Sequence, residues 1–201
     1  MTNVDALPAP PTQTAALARE VVEKWSSPTL VNHCLRSWVW GARMAESMSL
    51  DYDAELLYVA TMLHDLGVTP HFDALEVPFE DAGGAAAWAF TAGAGWPRAR
   101  RDRVEEIIQK HMWTSVDPNS DPEAFLLEAA TSLDVSGGGS HLWKTAFVRE
   151  VGAAIPRGGF AAEFGAALHE QAVRKPRSQA ARFDAGAGAE RGETFWVQTL
   201  R

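Results

Sequence analysis

The stretch Asp53-Ala-Glu-Leu-Leu-Tyr-Val-Ala-Thr-Met-Leu-His64-Asp65, followed at once by Leu66-Gly67, decides how this chain folds. Its apolar positions recur at helical spacing: Leu56, Leu57, Ala60 and Leu63. A helix with one apolar face of this kind packs into a core. Gly67 suits the position just past a helix end, where a left-handed backbone is needed. We therefore predict a core-facing helix that delivers His64 and Asp65 to the interior.

His64 and Asp65 at the end of such a helix are polar groups in an apolar setting, which is costly unless they are paired or bind a metal. Further candidates on helical runs are His33, His111 and Asp134. The mixed nitrogen and oxygen set of His33, His64, Asp65 and Asp134 suits Zn²⁺, Fe²⁺, Mn²⁺ or Ni²⁺. Such an ion lowers the pKa of a bound water, so that hydroxide is available near neutral pH. The simpler interpretations are that His64 interacts with the helix dipole, that His33 is a core imidazole and that Asp134 is a carboxylate at a helix end.

The rest of the chain also reads as helical, without a convincing strand or internal repeat. Ser27-Pro28 and Asp121-Pro122 each place a capping side chain before a proline in the first helical turn. Further helices are expected at about 14–25, 28–47, 79–90, 98–112, 122–135, 140–152 and 159–173. The predicted fold class is all-α, with one helical domain over residues 13–173. It lies between a Pro-rich disordered N-terminus at 1–12 and a mobile Ala-, Gly- and Arg-rich tail at 174–201.

Composition narrows the class of protein. The 201 residues include 18 Lys plus Arg and 26 Asp plus Glu, a formal net charge of -8, which argues against nucleic acid as the main partner. No apolar run is long enough to span a bilayer, and the first residues lack the features of a signal peptide. The single cysteine, Cys34, excludes an internal disulfide framework. We expect a cytoplasmic protein with a small-molecule substrate and no membrane partner, and a homo-oligomer is left open.

The ordered set His33…His64-Asp65…Asp134 resembles the signature of the HD-domain superfamily, a helical metal-dependent hydrolase fold. The likeness covers roughly residues 28–140 and is nearest to the cyanamide hydratase type of HD protein. It rests on the following stretches: Asn32-His33-Cys34-Leu35-Arg36, Glu55-Leu56-Leu57-Tyr58-Val59-Ala60, Leu63-His64-Asp65-Leu66-Gly67, Phe79-Glu80 with Gly84-Ala85, and Leu133-Asp134-Val135-Ser136-Gly137. The resemblance implies a helical bundle around a central metal site, with His33, His64, Asp65 and Asp134 as the ligands.

The resemblance also implies an enzyme that hydrates a cyanamide-like or nitrile-like carbon to an amide with a metal-bound hydroxide. Asp65 would ligate the ion and also accept a proton. His111 and Glu80 are further catalytic candidates. The simpler interpretations are that His111 is a hydrogen-bonded core histidine and that Glu80 stabilises the N-terminus of its helix. Two-metal HD proteins carry additional histidines between the central pair and the last Asp, where only His71 and His111 are available. One ion is therefore expected, with zinc first and Fe, Mn or Ni as alternatives.

The substrate pocket is expected near Arg36, Trp113 and Thr114. Arg36 would bind substrate or orient a ligand carboxylate, and a surface ion pair is its plainer reading. The family pattern places a Thr directly after the downstream histidine, whereas here Met112-Trp113-Thr114 follows His111. This departure concerns the identity of the substrate more than the metal.

Two alternative functions stay open. A phosphohydrolase that acts on a nucleotide or another phosphomonoester should offer several Arg or Lys donors. Near the motifs only Arg36 and Lys110 are available, which favours the uncharged, nitrile-like substrate. The other alternative is a non-catalytic HD module that binds metal or a ligand for regulation. The arginines of the tail are read as solvated: Arg174, Arg177, Arg182 and Arg191.

Overall fold

The computed structural model describes residues 9–200. Within that range the chain forms ten α-helices and no strand. The helices are α1 (Gln13–Trp25), α2 (Pro28–Met48), α3 (Ala54–Leu63), α4 (Phe79–Gly93), α5 (Arg98–Lys110), α6 (Pro122–Ser136), α7 (Thr145–Ala154), α8 (Phe160–Arg174), α9 (Gln179–Ala185) and α10 (Gly188–Thr199). The prediction of an all-α fold is confirmed. Across residues 9–200, every helix is too short or too polar to pass through a lipid bilayer.

Capping side chains set the starts of several helices. Ser27, Asp53 and Asp121 each accept a hydrogen bond from the backbone amide three residues further on, which satisfies one of the unpaired amides of a helix start. The cap of α1 is Thr12, so this helix begins at Gln13, one residue before the start at about 14 that we expected. The disorder expected for residues 1–12 falls largely outside the described residues.

Helix α2 runs through the middle of the bundle. It packs against α3 and α6, while α1 lies on α3 and α4 lies along α5. Trp40 on α2 and Tyr58 on α3 are completely buried in the main apolar cluster. Two polar residues of α2, His33 and Arg36, are also completely buried. Their burial marks the part of the core where a polar site is built.

Residues 174–200 differ from the mobile tail that the sequence predicts for 174–201. They form α9 and α10, which pack on α8 and α6. Trp196 of α10 is 2% exposed, stacks on Trp40, and donates from Nε1 to the carbonyl oxygen of Asp134 at 2.9 Å. A Cβ atom at Gly192 would lie only 1.9 Å from the carbonyl oxygen of Val135. The small residues that read as disorder therefore allow a close helix contact here.

Candidate metal centre

Two glycines allow the end of α3 to approach the start of α4 closely. A Cβ atom on Gly67 would lie 2.0 Å from the carbonyl oxygen of Phe79, and one on Gly83 would lie 2.6 Å from that of His64. The left-handed backbone that we expected at Gly67 is wrong, because its φ is not positive. A glycine is needed here because the two backbone segments approach each other closely. This contact fixes where His64 and Asp65 point.

Three of the predicted ligands meet at one point. Nε2 of His33, on α2, lies 3.1 Å from Nε2 of His64. Oδ2 of Asp65 lies 3.3 Å from Nε2 of His33 and 3.1 Å from Nε2 of His64. All three residues are at most 2% exposed. Ligands about 2.0–2.1 Å from one ion lie roughly 2.8–3.4 Å apart in octahedral or tetrahedral geometry, so these spacings fit a shared ion.

The opposite ring nitrogens determine which tautomers the histidines adopt. Nδ1 of His33 donates to Oδ2 of Asp134 at 2.6 Å, and Nδ1 of His64 donates to the carbonyl oxygen of Thr61 at 2.8 Å. A neutral imidazole that donates from one nitrogen has a lone pair on the other. Both Nε2 atoms therefore direct lone pairs toward Asp65, which is the arrangement that metal-bound histidines need.

The carboxylate of Asp65 also has the surroundings of a metal ligand. Neither of its oxygens accepts a hydrogen bond from the described residues, although both are buried. Burial raises the pKa of Asp65, and positive charge on His64 and His33 would outweigh it and hold this pKa well below its usual range. In the tautomers described above both rings are neutral, so that charge has to come from a bound cation. A buried anion with two imidazole lone pairs beside it lacks a cation. A divalent ion suits this donor set.

His111 stands beside the centre. Its Nδ1 donates to the carbonyl oxygen of Ile108, so its Nε2 is the free acceptor and lies 3.8 Å from Oδ1 of Asp65. Burial and the nearby His64 lower the pKa of His111 to about 3. The ring is therefore neutral at physiological pH.

Asp134 occupies a different position from the other predicted ligands. Its Oδ2 accepts from Nδ1 of His33 and from the guanidinium of Arg36, which lies 2.7 Å away. Arg157 donates to its other oxygen, Oδ1. Burial raises the pKa of Asp134, but Arg36, His33 and Arg157 outweigh it, so the carboxylate stays ionised. The structure thus shows Asp134 orienting His33 from behind and not among the three groups that converge.

Two other predicted site residues lie away from the centre. Arg36 is completely buried and gives its hydrogen bonds to Asp134 and to the carbonyl oxygens of Ile155 and Pro156. It therefore orients a carboxylate, which was one of its expected roles, and it is not part of the cavity wall. Glu80 is buried at the start of α4 and is not part of the cavity wall. Burial raises its pKa to about 7.

A cavity of about 280 Å³ opens from the centre toward solvent. His33, His64, Asp65 and His111 form its buried inner end. Its remaining wall comes from the segment after α5 and from α6, α8, α9 and α10: Met112, Trp113, Thr114, Glu128, Thr131, Ser132, Val135, Ser136, Phe164, Leu168, Gln179, Arg182, Phe183 and Arg191. Trp113 and Thr114 thus lie where substrate-facing residues should be.

Sequence reasoning missed several residues of this site. Glu128 lies on the same face of α6 as Thr131 and Val135, a spacing that could have placed it on the cavity wall. Burial raises the pKa of Glu128 to about 7. Arg182 and Arg191 were read as solvated tail, but both line the cavity. No local signal identifies them, because only the packing of α9 and α10 brings them to the site.

Comparison with known proteins agrees with this geometry. The profile of the HD domain family matches residues 30–135, a segment that contains all four predicted ligands. Two proteins of Saccharomyces cerevisiae, the cyanamide hydratases DDI2 and DDI3, are each 28% identical to this chain over 174 residues. The aligned part is 85% of this chain and 77% of each relative. Since the family match spans more than half of the sequence and the bundle presents a buried His-His-Asp group, the chain belongs to the HD-domain family.

Proposed function

We propose that this protein is a metal-dependent hydratase that adds water to a cyanamide-like or nitrile-like carbon. The observation that carries the proposal is the buried group of His33, His64 and Asp65 at the inner end of a cavity. The similarity to two cyanamide hydratases supports the reaction class. One divalent ion would be held by these three residues, with zinc as the first candidate and Fe, Mn or Ni as alternatives.

The metal supplies one part of the chemistry: a bound divalent ion polarises a nitrile and lowers the pKa of a coordinated water. Hydration then joins the water oxygen to the nitrile carbon, moves one proton to the nitrogen and yields the amide after a second proton shift. Nε2 of His111 is unprotonated and faces both Asp65 and the cavity, so it can accept a hydrogen bond from the attacking water and orient it. Oδ1 of Asp65 is the second acceptor beside it.

Asp134 and its two arginines support these groups. By accepting from Nδ1 of His33, Asp134 keeps Nε2 of that ring free for the ion. Arg36 and Arg157 keep Asp134 ionised and fixed. A carboxylate that orients a metal-bound histidine also raises the basicity of that ligand.

A phosphohydrolase is the second candidate, and one observation favours it. The two basic residues that we expected to bind a phosphate are paired with carboxylates instead. Arg36 binds Asp134, and Lys110 binds Asp121 and Glu106. However, Arg182 and Arg191 line the cavity, and guanidinium groups bind phosphate well. The alternative that is not an enzyme is an HD module that binds a metal or a ligand for regulation.

The test is turnover by protein loaded in turn with Zn²⁺, Mn²⁺, Fe²⁺ and Ni²⁺. We expect cyanamide to be converted to urea, and Asp65→Asn to lower kcat/KM by about 10²–10⁴-fold. Asp51→Asn is the matched control, because Asp51 is exposed and is not part of the cavity wall, and it should keep full activity. Hydrolysis of phenyl phosphate without hydration of cyanamide or simple nitriles would establish the phosphohydrolase instead.

A further inference from the structure

The outer wall of the cavity is built by residues beyond the segment that the family profile matches. The profile ends at residue 135, whereas Gln179, Arg182, Phe183 and Arg191 come from α9 and α10. The buried donor group therefore lies in the part shared with the family. The C-terminal helices supply part of the outer wall, beside the exposed Trp113 and Thr114, which makes them candidates for setting specificity.

The two arginines of this wall lack acidic partners. Among residues 9–200, the side chain of Arg191 has no ion pair or hydrogen bond, and the guanidinium of Arg182 donates only to the amide oxygen of Gln179 at 3.0 Å. By contrast, Arg174 of the same region pairs with Asp73, and Arg103 pairs with acidic residues on α6 and before it.

The position of the arginines places them at the entrance. Both are exposed, while His33, His64 and Asp65 at the inner end are at most 2% exposed. Apolar side chains also line the cavity, namely Val135, Phe164, Leu168 and Phe183. A ligand that spans this cavity would have an anionic end at the arginines, an apolar body and a reacting group at the histidines.

The cavity is larger than the smallest nitriles need. A volume of about 280 Å³ is nearly twice the roughly 150 Å³ that accommodates a benzene molecule in an engineered cavity. Cyanamide is comparable in size to one or two water molecules of about 30 Å³ each. It would leave most of the apolar wall and both arginines without a contact.

We propose that Arg182 and Arg191 bind an anionic group of the substrate, so that the preferred substrate is a nitrile-like compound with an acidic group at its far end. This inference rests on the proposed hydratase function for the identity of the reacting group. The anion recognition itself concerns only the entrance. A guanidinium binds a carboxylate or a phosphate through paired, charge-assisted hydrogen bonds.

The experiment compares cyano-carboxylates of increasing chain length with the matching cyano-carboxamides, which differ in charge but hardly in shape. Affinity is measured by calorimetry on the metal-loaded protein, and phenyl phosphate is included as a second anion. The variants are Arg182→Gln, Arg191→Gln and the double change. Arg177→Gln is the control, since Arg177 is exposed, lies in the same region and is not part of the cavity wall. Hydration of cyanamide is assayed in parallel on every variant.

We expect the wild-type protein to bind a cyano-carboxylate about tenfold or more tightly than its carboxamide. Arg182→Gln and Arg191→Gln should each remove much of that preference, and Arg177→Gln should not. Equal affinity for acid and amide would overturn the inference, as would an equal effect of Arg177→Gln. The inference would also be overturned if the arginines were needed to bind phenyl phosphate but not the cyano-carboxylates. The anionic group would then be the part of the substrate that reacts. If the charge preference appears but no variant hydrates cyanamide or any nitrile, the hydratase proposal fails while the anion site stands.

Discussion

The ring of His33 is stacked on Phe160, and a hydrogen bond from its Nδ1 atom decides which nitrogen faces the centre. Nδ1 donates to Asp134 at 2.6 Å, which turns Nε2 toward His64 and Asp65. Without that bond, either ring nitrogen could face the centre. Asp134 is thus the residue whose role the sequence leaves most open, because a carboxylate at the end of a helix can ligate an ion or orient a ligand.

Replacing Asp134 with Asn separates these two roles. The amide oxygen can still accept from His33, so we expect metal affinity to fall by about 10–100-fold. Asp65→Asn and His64→Ala should instead abolish tight binding. Metal affinity is measured by competition with a chromogenic chelator, at a temperature where circular dichroism shows the variant folded.

Stability provides the control for that comparison. Asp134→Asn leaves the buried guanidiniums of Arg36 and Arg157 without their anion, so it should lower the free energy of unfolding by about 3–5 kcal/mol. If the folded Asp134→Asn protein loses its metal as completely as His64→Ala, Asp134 is a direct ligand.

Residue patterns predicted part of this site for physical reasons. His33, His64 and Asp65 could be found because polar groups in apolar helical runs are conspicuous. Arg157 and the true partners of Arg36 could not be found, since their contacts with Asp134 join positions 23 and 98 residues apart in sequence. Sequence patterns show which residues are unusual, whereas tertiary packing determines the atoms that they contact.

Among the elements, α10 is the one that sequence patterns describe least well. Its glycines and alanines read as a mobile tail, yet Trp196 is buried and Gly192 lies against Val135. The helices up to α6 were predicted to within a few residues, because their apolar periods and caps are local signals. Docking of α9 and α10 depends on close backbone approach, for which composition gives no sign.

Gly192→Ala tests this docking. The added Cβ would lie 1.9 Å from the carbonyl oxygen of Val135, so α10 must move and the outer wall of the cavity moves with it. We expect a loss of about 1–3 kcal/mol in the free energy of unfolding, measured by urea denaturation. Gly93→Ala is the matched control, because nothing lies within 4 Å of its added Cβ. The control should be neutral or slightly stabilising, and equal destabilisation of both variants would argue against a docked α10.

Helix α4 supplies a prediction about pH. Burial raises the pKa of Glu80 from its ordinary 4.5 to about 7, so the folded state holds this proton more tightly than the unfolded state. The stabilisation is present in full below pH 4.5 and is lost as pH rises through about 7. Glu80→Gln should therefore match the wild type near pH 4.5 and exceed it above pH 7, by up to about 3 kcal/mol. Thermal unfolding at several pH values measures this, and a pH-independent difference would contradict burial of the carboxyl.

On the scale of the whole molecule, the centre joins two consecutive helices through residues that lie 31 positions apart in sequence. His33 lies on α2, and His64 and Asp65 follow from α3. An ion bound at all three would therefore stabilise the folded state relative to the unfolded chain, where these ligands are apart. At an ion concentration about a hundred times Kd, the gain is about 2.7 kcal/mol.

Removal of the metal should accordingly lower the melting temperature. We expect treatment with a chelator to reduce Tm by roughly 5–10 °C for a protein of this size, and Zn²⁺ to restore it. The same treatment of His64→Ala serves as the control and should leave its Tm unchanged. A chelator effect of equal size in both proteins would place the stabilising ion elsewhere.

The presence of one metal centre per chain is tested most directly by elemental analysis of the purified protein. With three converging ligands and one further histidine beside them, we predict about one divalent ion per chain in the wild type. Asp65→Asn and His64→Ala should each contain almost none. Two tightly held ions per chain in the wild type, or full metal content in both variants, would contradict the proposed centre.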